Sequence, residues 1–235
     1  MTDLKPKFAT ASAEKNNIFD IPLHEHLARQ NLATLPQSAL LTQSVNALGK
    51  TDLVEAYLRG SFSSGEADEL SDIDLFLVVK PEYLAATYDT FVEQLNRTHP
   101  VLVSCHDKLV KDYGGIGFMF ICKGPQDRLY QFDLYMAMKG VPPKAGLVNC
   151  PRIFTKNPAY SWLDENGACA ELPETARNFI ARHSGGDSKA DQVKYYLTDL
   201  MVTLHIMKKH LKRGQFARAL NDNNHAIGVS VELLR

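Results

Sequence analysis

The chain has 235 residues, with 26 Lys and Arg against 27 Asp and Glu and a formal net charge of -1. That length can bury a real core in one large or two small domains, and the balanced charge removes the electrostatic reason to expect a stable nucleic-acid partner. Ordinary apolar and charged fractions exclude disordered and collagen-like classes, and no segment approaches the roughly 18 uninterrupted apolar residues of a membrane helix. Cys105, Cys122, Cys150 and Cys169 are widely spaced and form no CxxC pair. Neither a zinc site nor a disulfide framework is suggested, so reduced thiols in a cytoplasmic protein are the expectation.

Residues 1 to 30 are polar and weakly periodic, and they read as an N-terminal extension or surface segment. From Pro36 to Leu48, the apolar residues Leu40, Leu41, Val45 and Leu48 lie on one helical face, with Pro36 in the first turn and Gly49 just past the end. A short strand, LVEAYL, follows and ends at Arg59. It leads into the glycine- and serine-rich GSFSSGEADELS and then into the strand Ile73 to Val79. Pro81 can open a helix whose inner face is Leu84, Tyr88, Phe91, Val92 and Leu95.

Three more strands are expected at 101–105, 116–122 and 129–136, the last two joined by the turn-like KGPQD as a hairpin. Gly114, Gly115 and Gly117 precede an apolar strand and read as turn residues, because a dinucleotide loop needs a following helix. Pro142, Pro143, Pro151 and Pro158 then punctuate the chain before a helical part. Its clearest helix carries Val193, Leu197, Leu200, Met201, Leu204 and Leu211 at helical spacing, which reads as core. Ser188 with Asp191 resembles a capping box, and Lys208, Lys209, Lys212 and Arg213 stand where a helix C-terminus favours cations. The organisation expected is an extension (1–30), an α+β domain with a mixed sheet flanked by helices (31–150), and a C-terminal helical domain (151–235).

Asp72 and Asp74 stand two residues apart at the head of an apolar strand, so the two-residue period sends both carboxylates to one side. Carboxylate oxygens suit Mg²⁺, whose shell is completed by water and substrate phosphate, whereas a softer metal would want His or Cys. Gly60-Ser61 ends the preceding strand, where a glycine backbone and a hydroxyl can approach a triphosphate closely. Asp133 lies among apolar and aromatic strand residues, where an unpaired carboxylate is costly. It has two candidate tasks, completing the metal site and taking the proton of an attacking hydroxyl. Separately, each aspartate would be an ordinary turn or strand-edge residue; their combination in strand-turn-strand order points to phosphate chemistry. Lys194 is a candidate for reaching the γ-phosphate from the helical part, against the alternative of a solvated lysine.

The stretch LRGSFSSGEADELSDIDLFLV resembles the active-site signature of the DNA polymerase beta-type nucleotidyltransferase superfamily. Its GEADELSDIDL phrasing is most similar to the antibiotic-modifying members, and LKRGQFARAL at 211–220 resembles a segment of lincosamide nucleotidyltransferases of the LinB type. The resemblance implies that Gly60 and Ser61 hold the triphosphate and that Asp72, Asp74 and Asp133 hold Mg²⁺. It also implies an NTP co-substrate, ATP being the one expected, and a homodimer as an assembly to test for. The acceptor expected is a hydroxylated small molecule, a lincosamide or an aminoglycoside. The alternatives are a protein or RNA acceptor, or a noncatalytic nucleotide-binding module.

Overall fold

The computed structural model describes residues 20–107, 115–141, 150–162, 171–183 and 188–235. Pro142, Pro143, Gly114 and Cys169 lie outside them. The elements in chain order are α1 (Leu23–Arg29), α2 (Pro36–Leu48), β1 (Leu53–Arg59), α3 (Gly60–Ser64), β2 (Ile73–Val79), α4 (Leu84–Thr98) and β3 (Val101–Asp107). They continue with β4 (Gly115–Lys123), β5 (Leu129–Met138), β6 (Arg152–Thr155), α5 (Glu174–His183), α6 (Lys189–Lys212) and α7 (Phe216–Leu233). One six-stranded mixed sheet runs in the order β3-β4-β5-β2-β1-β6, with β2 and β5 parallel and the other pairs antiparallel. No helix among the described residues is long and apolar enough to cross a membrane.

Alternation along β2 sorts the two faces. Ile73, Leu75, Leu77 and Val79 enter the main core, which includes Leu40 and Leu41 of α2 and Phe91 and Leu95 of α4. Phe76 and Val78 face the other way, into a smaller cluster with Val54, Tyr57, Ala137 and Trp162. The same alternation in β5 sends Phe132, Leu134 and Met136 to the main core. Asp72 and Asp74 therefore continue the Phe76 face, and Gln131 and Asp133 share it from β5.

Two boundaries differ from the sequence-based expectation. Residues 20–30 are not a surface extension, because Ile21, Leu23 and Leu27 are buried. The sheet also runs past residue 150, since β6 pairs with β1. Both follow from Arg152, which donates to the fully buried Glu55 of β1 and, through Nη2, to Asp20 Oδ2 at 2.8 Å. Glu55 Oε2 in turn accepts from Tyr57 Oη at 2.8 Å and from the Trp162 backbone at 3.0 Å. A buried carboxylate needs such partners, and these come from segments that hydropathy alone assigned elsewhere.

Ser188 caps α6 by accepting from the Asp191 amide, as its spacing suggested. The apolar stripe of α6 is not fully core, however. Leu197, Met201 and Leu204 remain 49%, 53% and 45% exposed, because the stripe is wider than the face that α7 covers among the described residues.

Candidate active site

The site stands where the end of β1 and the head of β2 meet the middle of β5. Arg59, the last residue of β1, pairs in register with Asp74 of β2, and Asp74 pairs with Asp133 of β5. Three charged side chains thus form one row across the sheet, with Asp72 at the head of β2 and Gln131 of β5 beside them on the same face.

Gly60 lies beside this row at φ +60°, where L side chains are strained. An added Cβ there would overlap Asp74 Oδ2 and lie 3.0 Å from its Cγ. Glycine is needed on both counts, and it places Ser61 in the first turn of α3. His26 Nε2 donates to the Phe62 carbonyl at 2.8 Å, which holds α3 from the α1 side. Gly60→Ala is expected to lower stability by about 1–3 kcal/mol and to displace Asp74, so transfer should fall further than the melting point implies. Thermal melts and kcat/KM measured side by side would check this; a variant with unaltered turnover would remove Gly60 from the site.

The carboxylates carry more negative charge than their surroundings balance. Asp74 is pushed up to about 6, first by burial and then by Asp72, with Arg59 and Lys209 pulling the other way. Asp133 is held well above the ordinary carboxylate range, again by burial first and then by Asp74 and Asp72. Gln131 Nε2 offsets part of this by donating to both Asp133 oxygens at 3.1 and 3.0 Å. Facing carboxylates that resist ionisation are a place for a cation.

One cation already reaches the row. Lys209 of α6, only 6% exposed, donates to Asp72 Oδ1 and, at 3.0 Å, to Gln131 Oε1. Asp72, Lys209, Gln131 and Asp133 therefore form one continuous chain. Four residues on, Arg213 Nε donates to Asp68 Oδ2 at 2.9 Å, and this guanidinium holds Asp68 down to about 2. A helix dipole accounts for cations at this end of α6, but Lys209 and Arg213 go further and tie α6 to the loop before β2.

For a divalent metal, the donor set fits in kind: hard oxygen ligands on one face, two of them in want of positive charge. Among the described residues, no three His, Cys, Asp or Glu side chains converge tightly enough to enclose an ion, and Lys209 occupies the Asp72 oxygen. Asp72 would exchange that ammonium for a metal.

The fold brings Gly60, Ser61, Asp72, Asp74 and Asp133 to one place, but not Lys194, the other residue to which the sequence pointed. That residue is exposed on α6 and lies about 22 Å along the helix axis from Lys209, at 1.5 Å per residue. Arg59, Gln131 and Lys209 were missed. Gln131 was detectable, since it stands two residues before Asp133 and so on the same face. Lys209 was not, because nothing local distinguishes it from the neighbouring lysines.

Residues 41–114 match the family model described as the nucleotidyltransferase domain. The match contains Gly60, Ser61, Asp72 and Asp74 and stops before Asp133. It supports the DNA polymerase beta-type nucleotidyltransferase superfamily, with which the mixed sheet and C-terminal helices agree. Nucleotidyl transfer is the general activity this supports. No curated protein matches the chain.

Proposed function

We propose that this protein transfers a nucleoside monophosphate from a nucleoside triphosphate, ATP being the first to test, to a hydroxyl of a small molecule. The observation that carries the reading is the register of Asp74 against Asp133, with Asp72 at the same strand head and Gly60-Ser61 at the end of the adjoining strand. Amides and the hydroxyl of Gly60-Ser61 hold the triphosphate tail. Asp72, Asp74 and Asp133 would hold Mg²⁺, which when bound supplies charge neutralisation for the phosphates.

The acceptor oxygen forms a bond to the α-phosphorus, the bond from that phosphorus to the departing oxygen breaks, and pyrophosphate leaves with its electron pair. Asp133 takes the hydroxyl proton, a role suited to a carboxylate whose proton affinity is raised by burial beside two like charges. Gln131 keeps Asp133 oriented by donating to both of its oxygens.

The resemblance to antibiotic-modifying enzymes makes lincosamides and aminoglycosides the first acceptors to try and a homodimer the assembly to test for, while the widely spaced cysteines favour a cytoplasmic setting. The test is mass spectrometry of hydroxylated compounds, both drug classes included, after incubation with protein, Mg²⁺ and mixed NTPs. A nucleotide-sized mass gain that requires Asp74 is expected. If ATP is turned over by no route and no compound gains mass, the transfer reading fails.

A further inference from the structure

A cavity of about 280 Å³ opens on the β5 side of the carboxylates. Its lining includes Gln131 and Lys209, the two residues that bond to Asp133 and Asp72. β2 lies between β1 and β5 in the sheet, so Gly60-Ser61 and this cavity flank the carboxylates from opposite sides. Asp72, Asp74 and Asp133 are not in its wall; Gln131 and Lys209 stand between the cavity and them, so with the triphosphate tail at Gly60-Ser61 an acceptor bound here would reach Asp133 past Gln131.

Its charge is one-sided. Among the acids and bases of the wall, Arg128 pairs with Glu69 at 2.9 Å and Asp127 pairs with Lys123 at 2.8 Å, which removes both carboxylates from the count. Lys209 is paired with Asp72. Lys208 and Lys212 remain, exposed and with no carboxylate within ion-pair distance among the described residues. A helix C-terminus offers only about half a negative charge, and Lys208, Lys209, Lys212 and Arg213 all crowd that end of α6. The surplus is felt locally: His205, also in the wall, is held down to about 4 by burial and by the ammonium groups of Lys209 and Lys208, so it is neutral at physiological pH.

Two polar atoms of the wall residues are buried and unpartnered. Gln37 is 1% exposed; its Nε2 donates to the Asp68 and Ser71 carbonyls, each at 3.1 Å, while Oε1 accepts nothing. His205 Nδ1 is likewise unpartnered. A buried amide oxygen without a donor is a standing cost that a ligand hydroxyl would relieve.

We propose that this cavity is the acceptor subsite and that it selects a small polyhydroxy compound bearing a phosphate or carboxylate group, which Lys208 and Lys212 receive while its hydroxyls satisfy Gln37. The inference rests on reading the carboxylates as the transfer site, and it turns the choice of acceptor away from polycationic aminoglycosides.

Its test uses binding, so that it can fail separately from the transfer reading. Inorganic phosphate is titrated calorimetrically into the full chain, followed by the matched series glucose 6-phosphate, glucuronate, glucose and glucosamine. One phosphate site is expected, the two anionic sugars should bind at least about tenfold more tightly than glucose, and glucosamine should bind most weakly. Lys208→Gln with Lys212→Gln, both exposed positions, should erase that order while the chain still melts cooperatively near the temperature of the unaltered protein. Saturating Mg²⁺ with α,β-methylene-ATP should leave phosphate bound. Displacement by that nucleotide would make the cavity part of the triphosphate site and overturn the proposal. Absence of a phosphate site, no preference for anions, or tighter binding of a short oligoribonucleotide through the same lysines would overturn it too.

Discussion

Asp74→Asn is expected to reduce nucleotidyl transfer by about 10³-fold or more and, at pH 7.5 without divalent metal, to make the protein more stable. The two effects share one cause. Asp74 is largely buried beside Asp72 and Asp133, so its charge is costly until a cation arrives. An amide keeps the volume and removes both the cost and the metal ligand. Asp72→Asn should lose transfer similarly but lose stability as well, because it strips the partner from Lys209, which is 6% exposed. Breaking a fully buried pair costs about 3–5 kcal/mol; with the Asp72 side chain 30% exposed, about 1–3 kcal/mol is expected. Melting curves and single-turnover transfer on the two variants check the pair. Equal stability shifts of one sign would refute the charge assignment even if both variants were inactive.

The metal-free protein should lose stability as pH rises from about 4 to 7, against the usual carboxylate trend. Asp74 is raised from 3.8 to about 6, so the folded chain holds a proton that the unfolded chain has released. Its contribution is fully present below pH 3.8 and is lost as pH climbs through 6. The displacement corresponds to about 3 kcal/mol, or roughly 6–12 °C in Tm for a chain of this size. Asp133 acts in the same direction. Asp68, lowered to about 2 by Arg213, acts oppositely: its contribution is present above 3.8 and lost as pH falls through 2. The maximum should therefore lie near pH 4–5. Added Mg²⁺ should raise Tm at pH 7.5, with stabilisation approaching about 2.7 kcal/mol at a hundred times its Kd, and should do little at pH 4.5, where protonated Asp74 and Asp133 bind it poorly. A melt that ignores both pH and Mg²⁺ would show that the row carries no excess charge.

Strand β2 was legible to the residue, as Ile73 to Val79, and α2 as Pro36 to Leu48. β2 is a short apolar run stopped by Lys80-Pro81, and α2 is an apolar face between Pro36 and Gly49; such runs and sharp ends are local properties. The hairpin of β4 and β5 was legible for the same reason. Residues 20–30 and β6 were not, because their place depends on the buried Glu55 finding Arg152 far along the chain. The apolar stripe of α6 was visible, but how much of it is covered depends on the helix laid beside it.

The sequence by itself determined that Asp72 and Asp74 share a side at a strand head, that Gly60-Ser61 ends the strand before them, and that Asp133 is an acid in apolar company. Those are consequences of strand period and composition. Only the tertiary structure decided that Asp133 stands opposite Asp74, that Arg59 and Gln131 complete the group, and that Lys209 reaches it while Lys194 does not. Strand order, register and the docking of a distant helix are set by long-range burial and charge pairing, which leave no mark on neighbouring residues.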